Sequence, residues 1–407
     1  RPAGIGMDCD FLIVGAGPAG CSTGIALAER APELAARTLC IDKAYHPRPK
    51  TCGGGLTGQM LAELQRLGVS LDVPHIPIHQ CASVFRDTRY DLPLKTDFAV
   101  IRRDAFDASL ARAMQDRGVA LSSGEAYVRH TTREDGRIEV QTTQRVLVVK
   151  TLVAADGAGS KIARSIGKKR RPSVHLAQID LPMPPGLDPH TMIYDFSYMT
   201  EDLFGYVWVF PTPLEGPSGE PMANVGLMQV GSTKAGGGMS AMLARGLDRH
   251  GFNLPADARL NHHPEWAFDP RYAFSAPGIL TVGDAAGIDP LFGEGLSQCL
   301  EYGWLAADAI IEAQKHNDFR FRKYRKQILC SAMGREMATL SMPSKRFYKP
   351  GNELWVSYVF KDKSLPTLMA EQGQGNLWLY QHRASIAFGA LKHWLRFGSS
   401  LAEHTKS

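Results

Sequence analysis

Three short glycine-containing segments stand far apart in this chain. They are Gly15-Ala16-Gly17-Pro18-Ala19-Gly20, Ala155-Asp156-Gly157 and Gly283-Asp284-Ala285-Ala286. Each follows an apolar run that reads as a buried parallel strand, over 10–14, 151–155 and 278–282. The C-terminal ends of parallel strands are where open α/β sheets place their ligands. Together the three segments describe one nucleotide site built from distant parts of the chain.

In the first segment Gly15 permits a tight turn, Gly17 lets the backbone approach a pyrophosphate, and Gly20 lets helix and strand pack closely. A helix is expected over 19–30, opening at Ala19, and its N-terminus offers free N–H groups to that pyrophosphate. A second strand over 38–42 ends in Asp42, placed to accept hydrogen bonds from an adenosine ribose, with Lys43 beside it. Asp156 and Gly157 extend the site, and Asp284 after Gly283 is placed to hold ribityl hydroxyls. Past Gly293 a helix is expected from Gly295 and Leu296 to about Gln314, its positive end facing the N1–C2 edge of a flavin and raising its reduction potential. The expected cofactor is FAD. No second dinucleotide fingerprint is present, so the electron donor is either transiently bound NADPH or a ferredoxin-type protein.

Composition agrees with a soluble enzyme. The 407 residues are 44% hydrophobic and 21% charged, with a net charge of +5, too mild to argue for nucleic acid. Two basic runs, 168–171 and 320–326, read as solvated faces or as contacts with anionic headgroups or a phosphorylated substrate. Seven cysteines with no zinc spacing suit a reducing cytoplasm, and no metal site is expected. No stretch is apolar enough to span a bilayer. Residues 1–6 precede Met7, the expected start of the fold.

The run from His46 to Leu56 ends in Cys52-Gly53-Gly54-Gly55. These glycines can bring backbone N–H groups against a ligand with no Cβ in the way. Cys52 reads either as a small buried hydrophobe or as a functional thiol beside the cofactor. Arg103, ahead of a helix whose core stripe is Phe106, Leu110 and Met114, reads either as a ligand of cofactor phosphate or ribityl oxygens or as a surface arginine. The expected architecture is α/β plus an antiparallel sheet. A Rossmann-type FAD-binding domain takes 7–72, 98–170 and 273–320. A β-sheet substrate domain takes 73–97 and 171–272, and a helical C-terminal region takes 321–407. Tyr206, Trp208 and Phe210 share one face of a strand and form either a packed face or the lining of a long apolar pocket. Residues 232–238 read as a mobile loop. A last helix is expected over 376–397. Ala387, Phe388, Leu391, Trp394 and Leu395 fall on one face of it, which either packs on the enzyme or rests on a membrane.

The chain resembles the geranylgeranyl reductase family, within the para-hydroxybenzoate hydroxylase-like flavoproteins. The superfamily is carried by the glycines at 15, 17 and 20, by Asp156-Gly157 and by Gly283-Asp284. The narrower family is carried by the run from Pro47 to Gly55, by Tyr206-x-Trp208-x-Phe210-Pro211 and by Asn224-Val225-Gly226. The resemblance implies that Tyr206, Trp208 and Phe210 roof a tunnel for a polyprenyl chain, and that Cys52 is the family's cysteine beside the glycines. Thr212-Pro213 stands where relatives acting on prenylated tetrapyrroles often have Lys after Phe-Pro. The all-glycine run lacks an acid found in some lipid reductases.

The expected activity is reduction of carbon–carbon double bonds in an isoprenoid or similar apolar chain by hydride transfer from flavin N5. Cys52 and Tyr206 are the candidate proton donors and Cys52, Tyr206, Trp208 and Phe210 the catalytic set. The alternative is a monooxygenase or halogenase working on an aromatic or polyketide-like metabolite through a flavin hydroperoxide. The expected protein is a cytoplasmic monomer that binds an apolar small molecule or lipid and no nucleic acid, with peripheral membrane contact as an added expectation.

Overall fold

The structure, a computed structural model, describes residues 9–167, 174–231, 238–361, 368 and 371–404. The basic run 168–171 and most of the glycine-rich loop 232–238 lie outside the described residues.

One sheet is built around four strands buried on both faces, as a sheet covered on both sides requires. It comprises β1 (Phe11–Val14), β2 (Thr38–Asp42), β6 (Ala120–Ser123), β10 (Thr151–Ala154), β16 (Ser275–Ala276) and β17 (Ile279–Thr281), in the order β16-β17-β10-β1-β2-β6. All its pairings are parallel except that of β16 with β17. Period-two alternation sends Phe11 and Ile13 to one core and Leu12 and Val14 to the other. The first core is closed by α1 (Pro18–Arg30), α4 (Arg103–Asp116) and α7 (Leu296–His316), with α2 (Pro32–Ala35) and α3 (Gly58–Arg66) at its rim. Phe106, Leu110 and Met114 are all but fully buried there, each worth about 1.5–3 kcal/mol of transfer free energy. The second core is closed by a three-stranded antiparallel sheet of β7 (Tyr127–Thr132), β8 (Ile138–Thr142) and β9 (Val146–Val149), with α5 (Lys161–Ser165) beside it.

The other large sheet has eight strands in the order β15-β11-β14-β13-β12-β4-β5-β3. These are β3 (Gly55–Leu56), β4 (His75–Phe85), β5 (Thr88–Ile101), β11 (Val174–Pro182), β12 (Thr191–Asp195), β13 (Gly205–Glu215), β14 (Pro221–Val230) and β15 (Asn261–Glu265). Along β13, Tyr206, Trp208 and Phe210 enter one core, while Val207 and Val209 enter another, covered by α6 (Gly238–Asp248). Further helices are α8 (Tyr324–Cys330), α9 (Ala332–Phe347), α10 (Glu353–Lys361) and α11 (Arg383–His404).

Two details differ from the sequence expectation. Strand β5 runs unbroken through Ile101, so the expected boundary at 97/98 falls inside a strand. The glycine run also ends in a strand of its own, since Gly55 and Leu56 pair with Val100 and Ala99. The loop from His46 to Gly54 is thereby tied to the edge of the second sheet and spans the gap between the two sheets.

Candidate functional site: a cofactor cradle between two sheets

The three glycine segments interlock. A Cβ on Gly15 (φ +109) would meet the Ala155 carbonyl oxygen at 2.2 Å, and one on Gly20 would meet the Gly15 carbonyl oxygen at 1.9 Å. One on Gly283 (φ +58) would meet the Ala19 Cβ at 2.7 Å. Only glycine lets the turns after β1, β10 and β17 stand side by side. Gly15, Asp42, Asp156 and Gly283 thus line the C-terminal edge of four neighbouring parallel strands. Asp42 accepts from the Ala16 and Ala44 amides, at 2.8 Å each, which fixes the end of β2 against the turn into α1; Lys43 beside it is exposed.

This edge fits FAD. Among the described residues, Gly17, at the N-cap of α1, has only the Arg48 guanidinium (3.5 Å) near the space its Cβ would take, and Gly157 has nothing within 4 Å of its own. The helix N-terminus and the cation face the same space, which suits a pyrophosphate. Asp156 Oδ1 is buried with no hydrogen-bond partner, an acceptor awaiting a donor. Asp284 lies 3.8 Å from Lys50 Nζ and 3.6 Å from His263 Nε2. Burial pushes its carboxyl up, but Lys50, His263 and Arg103 outweigh burial and hold it below the usual carboxylate range. A fixed anion there suits the hydroxyls of a ribityl chain.

Three of the groups expected at the cofactor also meet partners within the protein. Arg103 is no surface arginine: it is buried and grips Asp107 through two bonds of 2.8 and 3.0 Å. The guanidinium in front of the α1 N-terminus is Arg48, which sequence spacing did not single out. The glycines at 53–55 pack closely on the protein. Cβ atoms on Gly53, Gly54 and Gly55 would lie 2.7 Å from the Phe210 ring, 2.1 Å from the Ile101 carbonyl oxygen and 2.7 Å from the Met192 methyl. At the N-terminus of α7, beginning at Gly295 and Leu296, Glu294 accepts from the Ser297 amide (3.0 Å) and hydroxyl (2.6 Å). Gly293 (φ +69) sits where a Cβ would be 3.2 Å from Glu265 Oε2, a buried oxygen without a partner.

The aromatic row of β13 divides the inner face of the second sheet. Trp208 Nε1 donates to Asn224 Oδ1 (2.8 Å), Asn224 Nδ2 donates to Asp180 Oδ1 (2.8 Å), and Arg102 donates to Asp180 Oδ2 (2.9 Å). Gly226 leaves room for the indole, since a Cβ there would lie 2.3 Å from it. The Asn224-Val225-Gly226 segment is thus the seat of Trp208. On this side lies a polar cavity of about 270 Å³, lined by Lys50, Cys52, Arg102, Gln178, Asp180 and Asn224 among others. Cys52 faces it, with its amide donating to Gln178 (2.6 Å) and its sulfur accepting from Gly54 (3.4 Å).

On the other side of the row is an apolar cavity of about 160 Å³, walled by Tyr194, Phe196, Phe292, Phe347 and Phe360. Two carboxyls, Asp289 and Glu294, stand in its wall. Burial, helped by the charge of Glu294, pushes Asp289 up to about 7, although the Leu291 and Phe292 amides hold its oxygens at 2.7 and 3.3 Å. Burial also raises Glu294 above the ordinary range and pushes Glu265 up to about 8. Sequence reasoning missed these acids, because nothing in their neighbours along the chain sets them apart; their enclosure is what raises them. Tyr206, a candidate donor, gives its hydroxyl proton to the Phe292 carbonyl at 2.6 Å, and burial pushes it further above its ordinary range.

Comparison with known proteins agrees with this geometry. Residues 8–185 match the family model described as FAD binding domain. The chain is 29% identical over 329 residues to menaquinone reductase of Mycolicibacterium smegmatis, covering 74% of this chain and 75% of that protein. It is 27% identical over 332 residues to digeranylgeranylglycerophospholipid reductase 2 of Methanopyrus kandleri, covering 77% and 79%. A geranylgeranyl bacteriochlorophyll reductase-like protein from Thermoplasma acidophilum superposes with a TM-score of 0.71 at 22% identity, covering 98% of both chains. A flavin-dependent brominase shares the fold at a TM-score of 0.71 and 19% identity, covering 95% of this chain and 99% of its own. The chain is an FAD-dependent oxidoreductase with the para-hydroxybenzoate hydroxylase-like fold, similar in sequence and architecture to the geranylgeranyl reductases.

Proposed function

We propose that this enzyme reduces carbon–carbon double bonds in an isoprenoid or other apolar chain. The observation that carries the reading is the apolar cavity beside the aromatic row, with the Asp289 carboxyl, pushed up to about 7 by burial, in its wall. The relatives support it, being named for lipids that carry isoprenoid chains. Bound FAD, once reduced, supplies a hydride. The residues of this chain do the rest. Tyr194, Phe196 and Phe292, which wall the cavity, hold the double bond in a dry, fixed setting, and Tyr206, Trp208 and Phe210 are buried in the core, Tyr206 packing on Tyr194 and Phe196. The Asp289 carboxyl holds the proton that completes addition at the second carbon, and burial, helped by the Glu294 charge, keeps that proton available near neutral pH. Cys52 faces the polar cavity across the row, so its role lies away from the proton.

The test is anaerobic. Protein reduced with dithionite is mixed with a polyprenyl compound, and the flavin absorbance is followed. Return of the oxidised spectrum without oxygen supports the reductase. A flavin that stays reduced until air is admitted favours the monooxygenase or halogenase reading, for which the shared fold of the brominase is the supporting observation.

A further inference from the structure

Helix α11 carries its apolar face outward. Its inner side is narrow. A Cβ on Gly389 would lie 2.5 Å from the Tyr358 hydroxyl, that hydroxyl donates to the Ile386 carbonyl (3.0 Å), and His393 Nε2 meets Ser357 Oγ at 3.1 Å. The outer side presents Phe388, Leu391, Trp394 and Leu395, exposed by 70%, 52%, 53% and 70%. At helical spacing the four occupy about a third of the circumference. Large hydrophobic residues exposed singly need no explanation, but four on one stripe mark a contact surface. Arg383 borders the stripe on one side and Lys392 and Arg396 on the other, all exposed, and no Asp or Glu occurs from 383 to 402.

We propose that the outer face of α11 docks on the surface of an anionic phospholipid bilayer and so holds the apolar cavity against the membrane. The face has the composition of an interfacial helix: an apolar stripe with a tryptophan, flanked by basic side chains alone. A second copy fits worse, because a symmetric pair would set basic flank against basic flank with no acid between 383 and 402 to answer it. The helix beneath links the face to the site. Helix α10 carries Tyr358 and Ser357 under α11 and also Val359 and Phe360, which line the apolar cavity. The docking face is therefore about one helix layer, ~10 Å, from the cavity. The inference rests on the proposed function, since an apolar chain resides in a bilayer.

The experiment uses the full chain with FAD bound. Co-sedimentation is measured with vesicles of phosphatidylcholine alone and with a quarter phosphatidylglycerol, at low and high salt. Wild type is expected to bind the anionic vesicles at least ~tenfold more tightly than the neutral ones, and less at high salt. Leu391→Glu with Leu395→Glu, at exposed positions, is expected to lose at least ~tenfold in binding, and Lys392→Glu to weaken it in the same direction. The flavin spectrum and circular dichroism stay unchanged. The double variant reduces a detergent-dispersed polyprenyl substrate as wild type does but fails on vesicle-embedded substrate. Wild type that stays off anionic vesicles overturns the docking, as does a solution dimer that the Glu pair converts to monomer. Vesicle binding by a wild type that no polyprenyl chain reoxidises leaves the docking standing and removes the substrate reading.

Discussion

Replacing Asp289 by Asn removes a proton and little else. Asp289 Oδ1 accepts the Leu291 amide at 2.7 Å, a bond the asparagine oxygen keeps; the longer bond from Phe292, at 3.3 Å, is the one at risk. The magnitude follows from the carboxyl's position near 7. At pH 7 an ordinary aspartic acid at 3.8 keeps its proton in ~1 molecule in 1,600, whereas Asp289 keeps it in about one in two. Enclosure therefore raises the supply of the acid form by nearly a thousandfold. A positioned general acid contributes ~10²–10⁴-fold, so D289N is expected to lower kcat for double-bond reduction by at least ~100-fold. The assay is anaerobic reoxidation of the reduced enzyme by a polyprenyl chain between pH 6 and 9. The wild-type rate falls as pH rises through about 7, because the required form is the protonated one, and the variant's low rate is flat. Glu294→Gln moves the descending limb to lower pH, since the Glu294 charge is one of the forces holding Asp289 up. A D289N rate within about threefold of wild type, or a variant that keeps the wild-type limb, would refute the assignment.

Glu265→Gln tests the buried carboxyl beside Gly293. Its folded value of about 8 lies above the 4.5 of the open chain, so its contribution to stability is present below pH 4.5 and is lost as pH rises toward 8. The flavin-free variant melts with wild type at pH 5 and above it at pH 9, by at most ~5 kcal/mol; parallel melting curves over that range contradict the assignment. Gly53→Ala drives a methyl to 2.7 Å from the Phe210 ring and costs about 1–3 kcal/mol by thermal unfolding, which Phe210→Leu in the same chain relieves. Trp208→Ala leaves FAD content unchanged and, by loosening the Tyr206 and Phe210 rings packed on it behind the cavity wall, lowers kcat/KM for a long chain by at least ~tenfold; an unaffected turnover shows that the row does not support that wall.

Much of the cofactor edge was legible because its constraints are local. A β-branched run followed by glycine dictates a strand and a turn, and Gly15, Gly20 and Gly283 are required by backbone contacts that admit no Cβ. The period of two along β13 likewise placed Tyr206, Trp208 and Phe210 on one face. The amphipathic pattern of the last helix was also legible, from 383 onward, with the turn at Leu379–His382 ahead of it. Packing on the enzyme was one of its two readings, and the structure corrects it: the apolar stripe points out, because small residues and His393 are what fit against α10.

The sequence by itself determined the strands, the turns at their ends and the faces each element presents, since these follow from neighbours within a few residues. Tertiary structure alone decided which charges survive. Asp284 is held ionised by Lys50 and His263, brought from 234 and 21 residues away. Asp289, five residues beyond Asp284, stays partly protonated because apolar rings enclose it. Identical side chains so close in the chain take opposite states because solvation and Coulomb energy depend on what is near in space, and chain order does not encode that directly.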